Sequence, residues 1–147
     1  MLPLLSQPSG AHPYVLLADD SENEAELAQL AFSRAGIVRE LVWAQDGEAA
    51  FACLQRGASS LPQFLLMDLH MPKLDGLALL ARIRSDARLQ HLPTIVMSAS
   101  TQPQDVQRSL SAGANSYVCK PVDFQQFTEQ LALLARYWIQ VHLGLRR

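Results

Sequence analysis

The sequence predicts an α/β fold: a doubly wound, five-stranded parallel sheet with five helices on its two faces. Two observations carry that reading. Strand and helix signals alternate five times along the 147 residues, the pattern that builds one parallel sheet with helices across it. Polar side chains also stand at or just beyond the ends of four strand-like runs. They are Asp19-Asp20 after Tyr14–Ala18, Asp68 after Phe64–Met67, Ser98 after Thr94–Met97 and Lys120 after Ser116–Cys119. Right-handed crossovers bring those ends to one edge of the sheet, where α/β folds bind ligands.

Each element has its own signals. Residues 1–12 carry Pro3 and Pro8 and no basic start, and read as a flexible lead-in ahead of a single domain at 13–147. After the first strand, Ser21-Glu22-Asn23-Glu24 is a capping box, Ser21 at the N-cap and Glu24 reaching back to it. The helix turns Leu27, Leu30 and Ala31 inward and stops at Gly36. Glu40–Ala44 is the second strand. Asp46 caps a short helix with Ala49, Ala50, Phe51 and Leu54, ending at Gly57, and the third strand leads to Asp68.

Gly76 opens a third helix with Leu77, Leu80 and Ile83 on one face, and Leu92-Pro93 turns into the fourth strand. Pro103 to Ala112 is a fourth helix, weakly apolar through Val106 and Leu110, and Tyr117–Cys119 a fifth strand. Asp123 and Gln126 form a second capping box, with Val122 and Phe127 placed as a hydrophobic staple. Phe124, Phe127, Leu131, Leu134, Trp138 and Val141 then make a helical apolar stripe from Asp123 to about Leu143.

Composition narrows the function. Apolar residues make up 49 % of the chain, charged residues 18 %, and the net charge is −2, so no basic field points to nucleic acid. No apolar run approaches the roughly 20 residues that span a bilayer, and a cytoplasmic protein is expected. Cys53 and Cys119 sit in apolar elements and read as free, buried thiols. His12, His70, His91 and His142 lack zinc-like spacing. Lys73 and Lys120 are the two lysines among twelve basic residues. A lysine amid so much arginine suggests a compact point charge suited to a phosphoryl oxygen.

With these residues in place the chain resembles a response-regulator receiver domain of two-component signalling, over roughly Tyr14 to Val141. The motifs are the acidic pair Asp19-Asp20, the run Asp68-Leu69-His70-Met71-Pro72-Lys73-Leu74-Asp75-Gly76, the pair Ser98-Ala99, and Tyr117 ahead of Lys120-Pro121. Each is weak alone, but four in order at strand ends are specific. A narrower likeness lies in Gly113–Phe124 and Tyr137-Trp138, which is similar to the regulators paired with bacterial phytochrome-type histidine kinases.

The resemblance implies a flavodoxin-like fold and a set of roles. Asp68 is the phosphoacceptor, attacking a phosphohistidine to give an acyl phosphate. Asp20, Asp68 and the backbone carbonyl of His70 bind Mg2+, with Asp19 acting mainly through a coordinated water. Ser98 and the Ala99 amide hold phosphoryl oxygens, and Lys120 pairs with another. The Lys120–Pro121 bond is expected to be cis. Tyr117 is either a switch aromatic that moves inward with Ser98 or an ordinary edge-strand tyrosine. The His70 side chain stands where the family often has Asn, and either shields the phosphoryl group or assists its hydrolysis.

The implied function is a single-domain response regulator, not an enzyme. It accepts phosphate from a sensor histidine kinase and signals by conformational switching and protein contact. The end of the stripe, with Trp138 and Val141, either folds back on the core or joins the fourth helix and fifth strand in a homodimer face. Two rivals stand beside this reading. A phosphohydrolase with an aspartate nucleophile resembles the haloacid dehalogenases, but that family places a second Asp where this chain has His70. A pure scaffold would not need the acceptor set.

Overall fold

The computed structural model describes residues 3–56 and 61–141. Gly57 and the residues beyond Val141, including His142 and Leu143, lie outside the described residues. The elements run β1 (Leu4–Leu5), β2 (Tyr14–Ala18), α1 (Glu22–Arg34), β3 (Glu40–Ala44), α2 (Gly47–Arg56), β4 (Leu65–Asp68), α3 (Gly76–Ser85), β5 (Thr94–Ser98), α4 (Pro103–Ser111), β6 (Ser116–Cys119) and α5 (Phe124–Arg136). A π-helical stretch, Tyr137–Val141, continues α5.

All strand pairs are parallel, in the order β1-β3-β2-β4-β5-β6. From β2 the chain winds first to one side, through β3, and then to the other, through β4. The crevice at the carboxyl ends of β2 and β4 is therefore the switch point where doubly wound folds bind ligands.

The inner strands β2, β4 and β5 and most of β3 are buried on both faces, and their side chains alternate between two cores. Tyr14, Leu16 and Ala18 join Val42, Leu65 and Met67 under α2 and α3, with Leu54, Leu79, Leu80 and Ile83 fully buried. Val15 and Leu17 join Leu66, Ile95 and Met97 under α1 and α5, with Ala25, Ala28, Ala31, Phe32, Phe127 and Leu131. Leu27 and Leu30 are only half-buried, because small alanines let α1 approach the sheet.

Several expectations need correction. The sheet has six strands, since Leu4 pairs with Leu41 and Leu5 with Val42. The lead-in is also tied down by Glu40, which is buried and whose carboxylate accepts from the Ser9 amide at 3.1 Å and from the Ser9 hydroxyl. The staple expected between Val122 and Phe127 is not made: Val122 is fully exposed while Phe127 turns into the core, where more apolar area is covered than a surface turn offers. Cys53 is buried as expected, but Cys119 is exposed, at the end of the edge strand β6.

Candidate functional site

Four segments converge at the carboxyl edge. Asp19 directly follows β2, its amide bonded to the Ala44 carbonyl at 3.1 Å, and it is buried. Asp68 is the last residue of β4 and Ser98 the last of β5. Lys120 follows β6, its amide donating to the Ser98 carbonyl at 2.7 Å. The turn after Asp68 is shaped by Gly76, whose amide donates to the Leu69 carbonyl at 2.9 Å. A Cβ there would lie 2.7 Å from the Asp68 carbonyl oxygen, so no larger residue fits without moving the acidic strand end. Asp75 caps α3, accepting from the Ala78 amide at 2.9 Å.

The Lys120 ammonium lies 3.2 Å from Asp19 Oδ2, 2.8 Å from Glu24 Oε1 and 3.3 Å from Asp68 Oδ2. The other oxygens are also engaged. Asp19 Oδ1 accepts from the Ser21 amide at 2.9 Å and Asp68 Oδ1 from the His70 amide at 3.4 Å. Burial pushes the Asp19 carboxyl up to about 7, against the pull of Lys120. Burial also works against the charge on Lys120, but Asp19, Glu24 and Asp68 together outweigh it and hold the ammonium more basic than an ordinary lysine.

Glu24 is the residue missed by sequence reasoning. Ser21 does cap α1, accepting from the Glu24 amide at 3.2 Å. The Glu24 carboxylate, however, turns to Lys120 instead of back to Ser21, whose amide Asp19 already satisfies. The signal was present as an acid one helical turn past the acidic pair.

Asp19, Glu24 and Asp68 each offer one oxygen within 4.8 Å of the others. Asp20 lies outside this group and is exposed, because neighbouring side chains at a strand end point opposite ways. Three carboxylates converging from two strand ends and a helix are hard-oxygen donors, and they fit Mg2+ or Mn2+ rather than a soft metal.

The remaining expected residues fall around this centre. Ser98 is buried, and its Oγ accepts from the Ser100 amide at 3.1 Å. Ala99 and the His70 side chain are exposed. Tyr117 is half-buried against the first core and donates to the Ser100 carbonyl at 2.8 Å. Lys73 stands apart, exposed with φ of 67°, 3.5 Å from Asp46. The expected cis Lys120–Pro121 bond is a correction: no described residue has a cis peptide. The favoured trans form already lets the long lysine stem carry Nζ to all three carboxylates.

The family model for the response regulator receiver domain matches residues 15–132. The chain belongs to that family. Receivers of this family are signalling proteins that accept a phosphoryl group and change conformation. The chain is 35 % identical over 128 residues to the probable methanogenesis regulatory protein FilR2 of Methanothrix harundinacea, covering 85 % of this chain and 83 % of that one. Among solved structures it is similar to the phosphorylated cyanobacterial phytochrome response regulator RcpA, at 28 % identity and a TM-score of 0.86, over 92 % of this chain and all of that one. It is also similar to the Mn2+-bound form of the response regulator Rcp1, at 29 % identity and a TM-score of 0.82, over 91 % and 100 %. The Rcp1 sequence matched is from Synechocystis sp. PCC 6803. Among the described residues no helix is long and apolar enough to cross a membrane.

Proposed function

We propose that this receiver takes its phosphoryl group on Asp68 from a phosphohistidine of a partner sensor histidine kinase, of the phytochrome type. The observation that carries it is the convergence of Asp19, Asp68 and the Lys120 ammonium at the switch point, with Ser98 on the neighbouring strand end. An Asp68 carboxylate oxygen forms the new bond to phosphorus as the phosphorus–nitrogen bond breaks. The electron pair of that bond stays on the departing imidazole.

Lys120 already touches Asp68 and needs only a small movement to reach a phosphoryl oxygen. In this reading the Ser98 hydroxyl and the Ala99 amide hold the other oxygens. Asp19 and Asp68, joined by Glu24 and with Asp20 and the His70 carbonyl nearby in sequence, would hold Mg2+. Bound there, the ion would supply positive charge that offsets the repulsion between two anions. Ser98 and Tyr117 act as the switch, their partners both lying on Ser100.

The output surface in this reading is a homodimer face formed by α4, β6 and α5. Leu110, Phe124, Leu133, Tyr137 and Val141 leave apolar surface exposed on α4 and along α5 and its extension.

Labelling with a phosphorylated kinase, or with acetyl phosphate as the small donor, tests the acceptor. Wild type should carry a base-labile phosphoryl group, and Asp68→Asn should carry none while keeping its circular dichroism spectrum. Label persisting on Asp68→Asn refutes the assignment.

A further inference from the structure

The hydrogen bonds of Ser98 and Tyr117 meet on one residue that neither the site nor the switch includes. Ser100 donates its amide to Ser98 Oγ at 3.1 Å and accepts the Tyr117 hydroxyl on its carbonyl at 2.8 Å. Its own hydroxyl accepts from the Gln102 amide at 3.2 Å and donates to Asp105 Oδ2 at 2.6 Å. Four bonds to four residues tie the strand end, the edge strand and the first turn of α4 to a single side chain and its peptide groups.

α4 depends on that tie more than the other helices would. Gln102, at its N-cap position, makes no side-chain cap, and Pro103 has no amide to bond. Ser109 is the one buried residue of the helix. Its other end is held firmly. The Arg84 guanidinium donates to the Gly113 carbonyl at 3.0 and 2.7 Å and to the Leu92 carbonyl at 2.8 Å. A lightly packed helix pinned at its C-terminal end and tethered at its N-terminal end by one serine can pivot about the pinned end. Asp105 holds the tether from the helix side, where Arg108 Nη2 also donates to it at 2.8 Å.

We infer that the Ser100–Asp105 hydrogen bond is the link that carries the reorientation of Ser98 into α4, with Ser100 and Asp105 as positioning residues. This rests on the reading of Asp68 and Ser98 given above. When the Ser98 hydroxyl turns toward a phosphoryl oxygen, its oxygen leaves the Ser100 amide. The Ser100 peptide moves, and its hydroxyl draws the first turn of α4 through Asp105. Tyr117 follows because its hydroxyl is bonded to the same peptide unit.

The test uses the full chain with Mg2+ and beryllofluoride as phosphoryl mimic, read by amide chemical shifts, alongside the yield of label from acetyl phosphate. In Ser100→Ala the label yield should stay within twofold of wild type. The beryllofluoride-induced shifts at residues 104–108 should fall at least threefold, while those next to Asp68 persist. Asp105→Ala should give the same loss, the double variant no further loss, and Ser100→Thr, which keeps the hydroxyl, should restore the wild-type response. A labelled Ser100→Ala or Asp105→Ala whose α4 shifts match wild type overturns the link. So does an additive double variant, or failure of Ser100→Thr to restore the response. A wild type that takes no label refutes the Asp68 reading instead, so the two failures are separable.

Discussion

Replacing Lys120 with methionine keeps the length and packing of the stem and removes one charge, which isolates what the ammonium does in the metal-free protein. Lys120, Asp19 and Asp68 are 12 %, 4 % and 14 % exposed, and Glu24 is 26 % exposed. Without the ammonium, three carboxylates with oxygens within 4.8 Å of one another face each other uncompensated. At an effective dielectric of about 20, each ionised pair at that distance repels by about 3.5 kcal/mol. Stripping one partner from a buried ion pair costs about 3–5 kcal/mol. Proton uptake by Asp19, whose carboxyl already titrates near 7, keeps the loss near the low end, about 3 kcal/mol at pH 8.

Urea unfolding in the presence of a chelator reads this directly. With an unfolding slope of about 2 kcal/mol per molar, the midpoint should drop by about 1.5 M. The loss should shrink at pH 5, where Asp19 carries a proton. Mg2+ should then stabilise Lys120→Met more than wild type, because binding no longer displaces an ammonium. Equal midpoints for the two proteins in chelator at pH 8 would show that the carboxylates are not held together by Lys120, and the reasoning would fail.

Asp19 and Leu133 carry two further predictions. The folded-state pKa of Asp19 is about 7 against an ordinary 3.8, so between these values the folded chain keeps a proton that the unfolded chain releases. Metal-free wild type should therefore gain stability as pH falls from 7 toward 4, and its Mg2+ affinity should weaken over the same range because the metal needs the carboxylate free. Asp19→Asn should flatten the stability profile, checked by urea titrations at pH 5 and 7.5. For the proposed dimer face, Leu133 is 70 % exposed, whereas Trp138 rests on the second core and meets the Tyr137 ring edge-on at 5.1 Å. Leu133→Glu should thus turn a dimer into a monomer while keeping the circular dichroism spectrum of the folded chain, by sedimentation with and without beryllofluoride, and a monomeric wild type would refute the face.

The parts of the fold that were legible are those encoded locally. Glu40–Ala44 and the α3 start at Gly76 appear where periodicity and breakers place them, and so do the caps at Ser21, Asp46 and Asp123. Leu4–Leu5 could not be read, because two residues carry no period and their reason to be a strand lies on β3, tens of residues away.

In the site, Asp19, Asp68, Ser98 and Lys120 were legible as strand ends that a parallel sheet must gather. Glu24 was hidden behind a capping pattern that explained it fully at short range, although its charge is used by Lys120 from the far end of the chain. Asp20 shows the reverse: adjacency in sequence to Asp19 says nothing about direction, and the turn sends one carboxylate inward and the other to solvent.

The parallel register of β1 on β3 has a practical corollary. The short strand enters the sheet at the end where every other strand begins, so Pro3 and Leu4 stand at the pole opposite the carboxylates. A fluorophore or surface tether attached there would sit a full strand length from Asp68, leaving the acidic crevice and α4 free for a docking kinase. That makes this end the natural handle for watching phosphotransfer on single immobilised molecules.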